Sequence, residues 1–147
     1  MQSLRFELIT PERVVLKEEF DAATVPTREG EITVLPGHVP LVASLAPGMI
    51  TVSRGGNESY LAVSGGFIEV QPDSRVVILA DTAERAEELD LDKVEAARQR
   101  AETLISEKRH VDDFSSAAAV AALERELARL RVAKKHRSGR RQPPLQR

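Results

Sequence analysis

Histidine, carboxylate and arginine side chains would have to carry any chemistry in this chain, because it contains no cysteine. Without thiols, neither a thiolate metal site nor a disulfide framework can form. The three histidines, His38, His110 and His136, are isolated, and none has a second histidine at the spacing that closes two imidazoles on one cation. No glycine-rich loop ends in Lys-Ser or Lys-Thr, so no phosphate cradle of that type is present. No Gly-x-Ser-x-Gly elbow occurs either. The pairs Gly55-Gly56 and Gly65-Gly66 fit hairpin turns that need positive φ. Carboxylates abound, but they are spread along strand edges and helix faces, where solvation accounts for them. These residues predict no metal site and no catalysis by the chain alone.

Charge carries more information than nucleophiles do. The near-neutral balance of 21 basic and 23 acidic residues hides a polarity along the chain. Eight Lys and Arg residues and no Asp or Glu follow Glu126, so 13 basic residues stand against all 23 acidic ones up to that point. Such a basic end is compatible with a solvated tail, with contact to an acidic protein surface, or with a small adaptor that grips nucleic-acid phosphates. Against the adaptor, the rest of the chain is acidic and only 3% of residues are aromatic, which leaves few stacking platforms. The start lacks a basic segment leading into an apolar run, and nowhere do about 18 apolar residues occur in succession. The expectation is no signal peptide and no membrane span, so that membrane association comes through partners or surface charge.

The elements that would position these groups fall into two compositions. Residues 4 to 80 read as short strands: Leu4, Phe6 and Leu8 alternate with Arg5 and Glu7, and the pairs Ile32 and Val34, then Ile50 and Val52, repeat that pattern. Turns are expected at Thr10-Pro11, Pro36-Gly37, Pro47-Gly48, Gly55-Gly56-Asn57, Gly65-Gly66 and Pro72-Asp73. This spacing predicts an antiparallel β-sandwich or flattened barrel, with Val76-Val77-Ile78-Leu79-Ala80 as its last, most central strand, buried on both faces. From Thr82 to Lys135 there is neither Gly nor Pro, and Ala, Glu, Leu and Arg dominate, which predicts helices. Asp90 or Asp92 can cap a first helix with apolar positions Val94, Ala97, Ala101, Leu104 and Ile105. After a polar break at Lys108-Arg109-His110, Asp112 or Asp113 can cap a second, with a stripe of Phe114, Ala117, Val120, Leu123, Leu127 and Leu130. The expected organisation is a β-domain over residues 1–84, an antiparallel two-helix hairpin over 85–135 and a basic, disordered tail over 136–147. The Ala-rich seam buries little apolar area, so the hairpin is expected to be marginally docked, whereas the β-domain should survive removal of everything after about Asp81.

The segment Glu29-Gly30-Glu31-Ile32-Thr33-Val34-Leu35-Pro36-Gly37-His38-Val39-Pro40-Leu41 joins strand, tight turn and proline-flanked loop. Pro47-Gly48-Met49-Ile50, Ser64-Gly65-Gly66-Phe67-Ile68-Glu69-Val70 and Leu79-Ala80-Asp81-Thr82-Ala83-Glu84 follow in order. From residue 4 to about 133, this order resembles the epsilon subunit of the F-type ATP synthase. Membership would imply a non-catalytic rotor subunit that couples proton flow to ATP synthesis and inhibits ATP hydrolysis through its helices. It would be peripheral, at the cytoplasmic face of a bacterial plasma membrane. The implied partners are the gamma subunit, the membrane ring of proton-carrying c subunits and the catalytic alpha and beta subunits; nucleic acid is not among them.

The resemblance also assigns residues. Glu31 would face the membrane ring and His38 the gamma subunit, on a loop stiffened by Pro36 and Pro40. Arg125, Arg129, Arg131, Lys134 and Lys135 would face acidic segments of the catalytic subunits. Many bacterial relatives bind ATP where the first helix begins, through Ile or Leu, Asp, two variable residues, Arg and Ala. The matching stretch here is Leu89-Asp90-Leu91-Asp92-Lys93-Val94, with Glu84, Arg100, Arg125 and Arg129 at supporting positions. Lys93 lacks the planar fork of Arg, and Val94 adds bulk over Ala, so the expectation is weak or absent regulatory ATP binding and no tightly held cofactor.

Overall fold

The computed structural model describes residues 2–108 and 113–140. Its strands are β1 Leu4–Ile9, β2 Val14–Phe20, β3 Ala22–Thr27, β4 Gly30–Val34, β5 Leu41–Leu45, β6 Gly48–Arg54, β7 Asn57–Val63, β8 Gly66–Gln71, β9 Arg75–Ala80 and β10 Ala83–Arg85. They form a 10-stranded sheet in the order β10-β7-β6-β3-β5-β8-β9-β1-β2, with β4 added to β3. The sheet folds over one apolar core that includes Leu4, Phe6, Leu8, Val25, Ile50, Leu61, Ile68 and Ile78. Phe6 and Phe20 meet edge to face, with ring centroids 5.7 Å apart. The two ends of the sheet approach each other where the Arg85 side chain donates to the Val15 carbonyl at 3.0 Å.

The alternation read from the sequence holds in β1, whose Leu4, Phe6 and Leu8 are buried while Arg5 is exposed. Two expectations change. Most strand pairs are antiparallel, but β1 and β9 run parallel, in register from Arg5 opposite Arg75 to Ile9 opposite Leu79. These strands are remote in sequence, so no hairpin dictates their direction. Nor is β9 last in the sheet or buried on both faces. Val76, Ile78 and Ala80 point inward, whereas Leu79 is 54% exposed. Opposite it on β8, Phe67 is 57% exposed, so an apolar run here marks one core face and one apolar outer face.

Glycine is decisive at one bend. Gly66 has φ of 123°, and a Cβ there would stand 1.9 Å from the Leu79 carbonyl oxygen. That approach places β8 against β9, with Gly66 opposite Ala80.

The residues after Thr82 are not helical at once, as composition had suggested. Ala83–Arg85 form β10 against β7, followed by a short 3-10 turn over Ala86–Glu88. Two long helices then follow, α1 Leu91–Lys108 and α2 Asp113–Arg140. Asp90 caps α1: its Oδ1 accepts from the backbone N–H groups of Asp92 and Lys93 at 3.0 and 3.3 Å, which settles the choice between the two aspartates. Of the expected break Lys108-Arg109-His110, Lys108 is the last residue of α1, and of the two expected caps Asp113 is the first residue of α2; residues 109–112 lie outside the described residues. α2 continues past Lys135 to Arg140, so residues 136–140 are helical and not a disordered tail. Residues 141–147 lie outside the described residues.

α1 packs along α2, and α2 lies on β6 and β7. The expected α2 stripe is displaced: Val120 and Leu127 are 44% and 45% exposed, and Ala117 is exposed as well. The buried positions are Ala119, Glu126, Leu130 and Ala133 on one side, with Ala128 and Val132 on the opposite side. Val132 meets Ala62 and Ala86 of the β-domain, so the other set turns toward α1. A helix covered on two sides buries two narrow strips, and one apolar stripe on its flank is left in water.

Candidate functional site

Polar side chains converge where the sheet hands over to the helices. Glu84 on β10 lies opposite Ala62 of β7, and Arg129 of α2 reaches it with Nε 2.8 Å from Oε2. The same guanidinium holds Glu126 Oε2 at 2.7 Å, one helical turn away. Glu126 is only 6% exposed, and its Oε1 lies 3.6 Å from Arg125 Nε. A carboxylate this deep needs cations beside it, and Arg125 and Arg129 provide them. Burial acts to lower the pKa of Arg129, but the hydrogen bonds to Glu84 and Glu126 outweigh it and the pKa is raised. The cluster is held as a set of ion pairs.

An apolar contact borders these charges. Val132, three residues beyond Arg129, is fully buried with Ala62 and Ala86 and is flanked by Met49, Tyr60 and Leu89. Lys135 sits over the Tyr60 ring, 5.9 Å from its centroid. Burial and then a 2.6 Å hydrogen bond to Glu58 push the Tyr60 phenol up to about 12.

The turn that leads to α1 is strapped from the other side. Arg13, after β1, grips both carboxylate oxygens of Glu88 at 2.8 Å. Glu88 also accepts the Arg85 backbone N–H at 3.0 Å. The Arg13 hydrogen bonds lower the Glu88 pKa, against burial, with help from the Arg85 backbone.

The proline-flanked loop forms a separate surface. Gly37, at φ of 83°, donates its N–H to Ser74 Oγ at 2.8 Å. His38 donates its N–H to the Leu35 carbonyl at 3.1 Å, and its ring Nδ1 lies 2.6 Å from the Val39 carbonyl oxygen. Leu35 and Val39 are exposed beside it, and Glu31 is exposed on β4. This is a braced loop with apolar tips.

The structure thus brings Glu84, Arg125 and Arg129 into one region, with Leu89 next to Val132. Asp90 is occupied in capping, Lys93 is exposed, and Val94 is buried at 1% exposure. Arg100 lies instead in a shallow groove along α1 with Ala96, Gln99, Thr103 and Leu104. Arg131 and Lys134 are exposed on α2. Sequence reasoning missed Glu126, Arg13 and Glu88. The spacing of Glu126 to Arg129 was an available signal for the first; nothing local links residues 13 and 88. Among the described residues no His, Asp and Glu group could hold a metal ion, and no helix is long and apolar enough to cross a membrane.

Residues 3–86 match the family model "ATP synthase, Delta/Epsilon chain, beta-sandwich domain", and residues 87–134 match "ATP synthase, Delta/Epsilon chain, long alpha-helix domain". The chain is 44% identical to an ATP synthase epsilon chain of Dehalococcoides mccartyi over 93% of its own length and 96% of the relative's. For the epsilon chain of Chloroflexus aggregans the identity is 45%, over 95% and 98%. For that of Moorella thermoacetica it is 48%, over 90% and 98%. Among solved structures, a chain of the Euglena gracilis mitochondrial ATP synthase (OSCP, F1 and c-ring) aligns with a TM-score of 0.76 at 30% identity, covering 91% of this chain and 82% of that one. A chain of the Tetrahymena thermophila mitochondrial central stalk and c-ring shares the fold, with a TM-score of 0.54 at 19% identity over 92% and 98%.

Proposed function

The chain belongs to the delta/epsilon-chain family of ATP synthases, and on that premise we propose that it couples proton flow to ATP synthesis and restrains ATP hydrolysis through its two C-terminal helices. It is a non-catalytic central-stalk subunit, whose partners are the gamma subunit, the c-ring and the catalytic alpha and beta subunits. Its place is at the cytoplasmic face of a bacterial plasma membrane, held there by those partners. In this reading Glu31 faces the c-ring, and the braced loop around His38 docks on gamma with little entropy to lose.

One observation carries the regulatory part. The β-domain closes on a large core of its own, whereas its apolar contact with the helices centres on three buried residues, Ala62, Ala86 and Val132. A module docked so thinly needs only a few kcal/mol to exchange one arrangement for another. When it extends, Arg125, Arg129, Arg131, Lys134 and Lys135 become free to meet acidic segments of the catalytic subunits. Regulatory ATP binding at Glu84, Leu89, Asp90, Lys93, Arg100, Arg125 and Arg129 is weak, because Lys93 and Val94 replace the Arg and Ala of the motif.

The test is a reconstituted synthase carrying either the full chain or a chain ended after Arg85. Ending there keeps β10, which a cut at Asp81 would remove from β7. The shortened subunit should assemble and support proton-driven ATP synthesis, while hydrolysis rises. Failure of the shortened chain to assemble, with no effect of the full chain on hydrolysis, would make the hairpin a structural part.

A further inference from the structure

We propose that Arg129 is the latch that holds the hairpin on the β-domain, and that it closes without a nucleotide because Glu84 and Glu126 already fill the role that phosphate oxygens would take. This deepens the reading of the helices as a movable module and rests on it. Arg129 Nε engages Glu84 at 2.8 Å and a terminal nitrogen engages Glu126 at 2.7 Å. One bond crosses between modules and the other stays within α2. When the hairpin lifts, Glu84 stays with the β-domain, since its strand is hydrogen-bonded to β7. Glu126 travels with Arg129 and keeps it partly neutralised.

The setting favours the closed pair. Glu84 lies opposite Ala62 in the sheet, and Ala62 packs under Val132, so the ion pair and the apolar plug are adjacent. The Arg129 and Glu84 side chains are 27% and 34% exposed, and a charge-assisted bond in such a part-buried setting is stronger than one in open water. A phosphate seeking Arg129 would have to displace two carboxylates, and the buried Glu126 would then repel it.

The natural absence of cysteine makes the test direct. Spin labels on Val42→Cys, in β5, and Leu104→Cys, in α1, report the separation of the two modules in the isolated full chain by pulsed electron resonance. Both positions are exposed. Without nucleotide the chain should give one narrow distance distribution, and millimolar MgATP should leave it unchanged. Arg129→Gln should raise the open fraction about tenfold, the scale set by losing a charge-assisted hydrogen bond. Glu84→Gln should raise it nearly as much, and combining the two should add little. Lys134→Gln, at an exposed position of the same helix, should change nothing. An open fraction in Arg129→Gln no larger than in the unaltered chain, or a distribution that MgATP narrows in the unaltered chain, overturns the latch. A circular-dichroism melt of each variant confirms that the sandwich is intact. Hydrolysis is not read here, so a closed latch beside an unregulated synthase would sink the switch reading alone.

Discussion

The β-domain and the hairpin bury their apolar residues in different ways, although both join one chain. In the sandwich, Leu, Ile, Val and Phe from strands distant in sequence interlock around a shared core. Among the described residues of α2, half of the buried set is alanine, with Glu126 among it and Leu130 and Val132 as its largest apolar members. Burial at roughly 25 cal/mol per Å² of apolar surface makes the first cohesive and the second shallow. The hairpin adds part-buried ion pairs such as Glu84–Arg129, which fix how the helices dock without matching the cohesion of an apolar core. Cohesion thus resides in one module and shallow docking in the other.

That contrast breaks hardest at Gly66. Gly66→Ala would drive a Cβ into the Leu79 carbonyl, so the sandwich should fail to fold, and a soluble chain with a normal melting transition would refute the account of the bend. Next in size, Ile50→Ala should lower stability by about 2–5 kcal/mol, the usual range for an emptied core site. Val132→Ala should leave the unfolding midpoint of the sandwich nearly unchanged while exposing the helices to proteolysis. A Val132 effect as large as that of Ile50 would merge the two modules into one cooperative unit. The smallest effect concerns the Arg13–Glu88 strap. Because the folded-state pKa of Glu88 is lowered, its stabilisation is complete above the ordinary glutamate value and is lost as pH falls through the lowered one. Protection of the Arg85 amide, taken relative to its intrinsic exchange rate, should therefore hold at neutral pH and fall only once the pH drops below the ordinary glutamate range. In Arg13→Ala the change should begin at higher pH, and an unaltered profile would remove the strap from the description.

What the sequence revealed follows the same divide. Strand alternation is written by the solvent boundary, so Leu4, Phe6 and Leu8 were legible as one buried face. The run from Val76 to Ala80 misled because an apolar residue on an outer face looks the same in sequence as one in a core, and Leu79 and Phe67 are of the first kind. On α2, Val120 and Leu127 marked a flank, while the buried positions are alanines, Glu126, Val132 and Leu130, of which Leu130 alone lay on the expected stripe. No local pattern announces a buried Glu126, since its partners and its cover come from helix packing. Of the candidate site, Glu84, Arg125 and Arg129 were found by resemblance; the geometry that binds Arg129 to carboxylates had to come from the fold.

The strap at Glu88 has a mechanical side. It sits beside the start of α1, whose 18 residues make a rod of about 27 Å at 1.5 Å per residue. A load applied at the far end of that rod acts through a long arm, whereas the Arg13–Glu88 pair resists through a short one. The leverage runs against the pair. Contacts adequate against thermal jostling would then yield to a modest sideways pull at the tip.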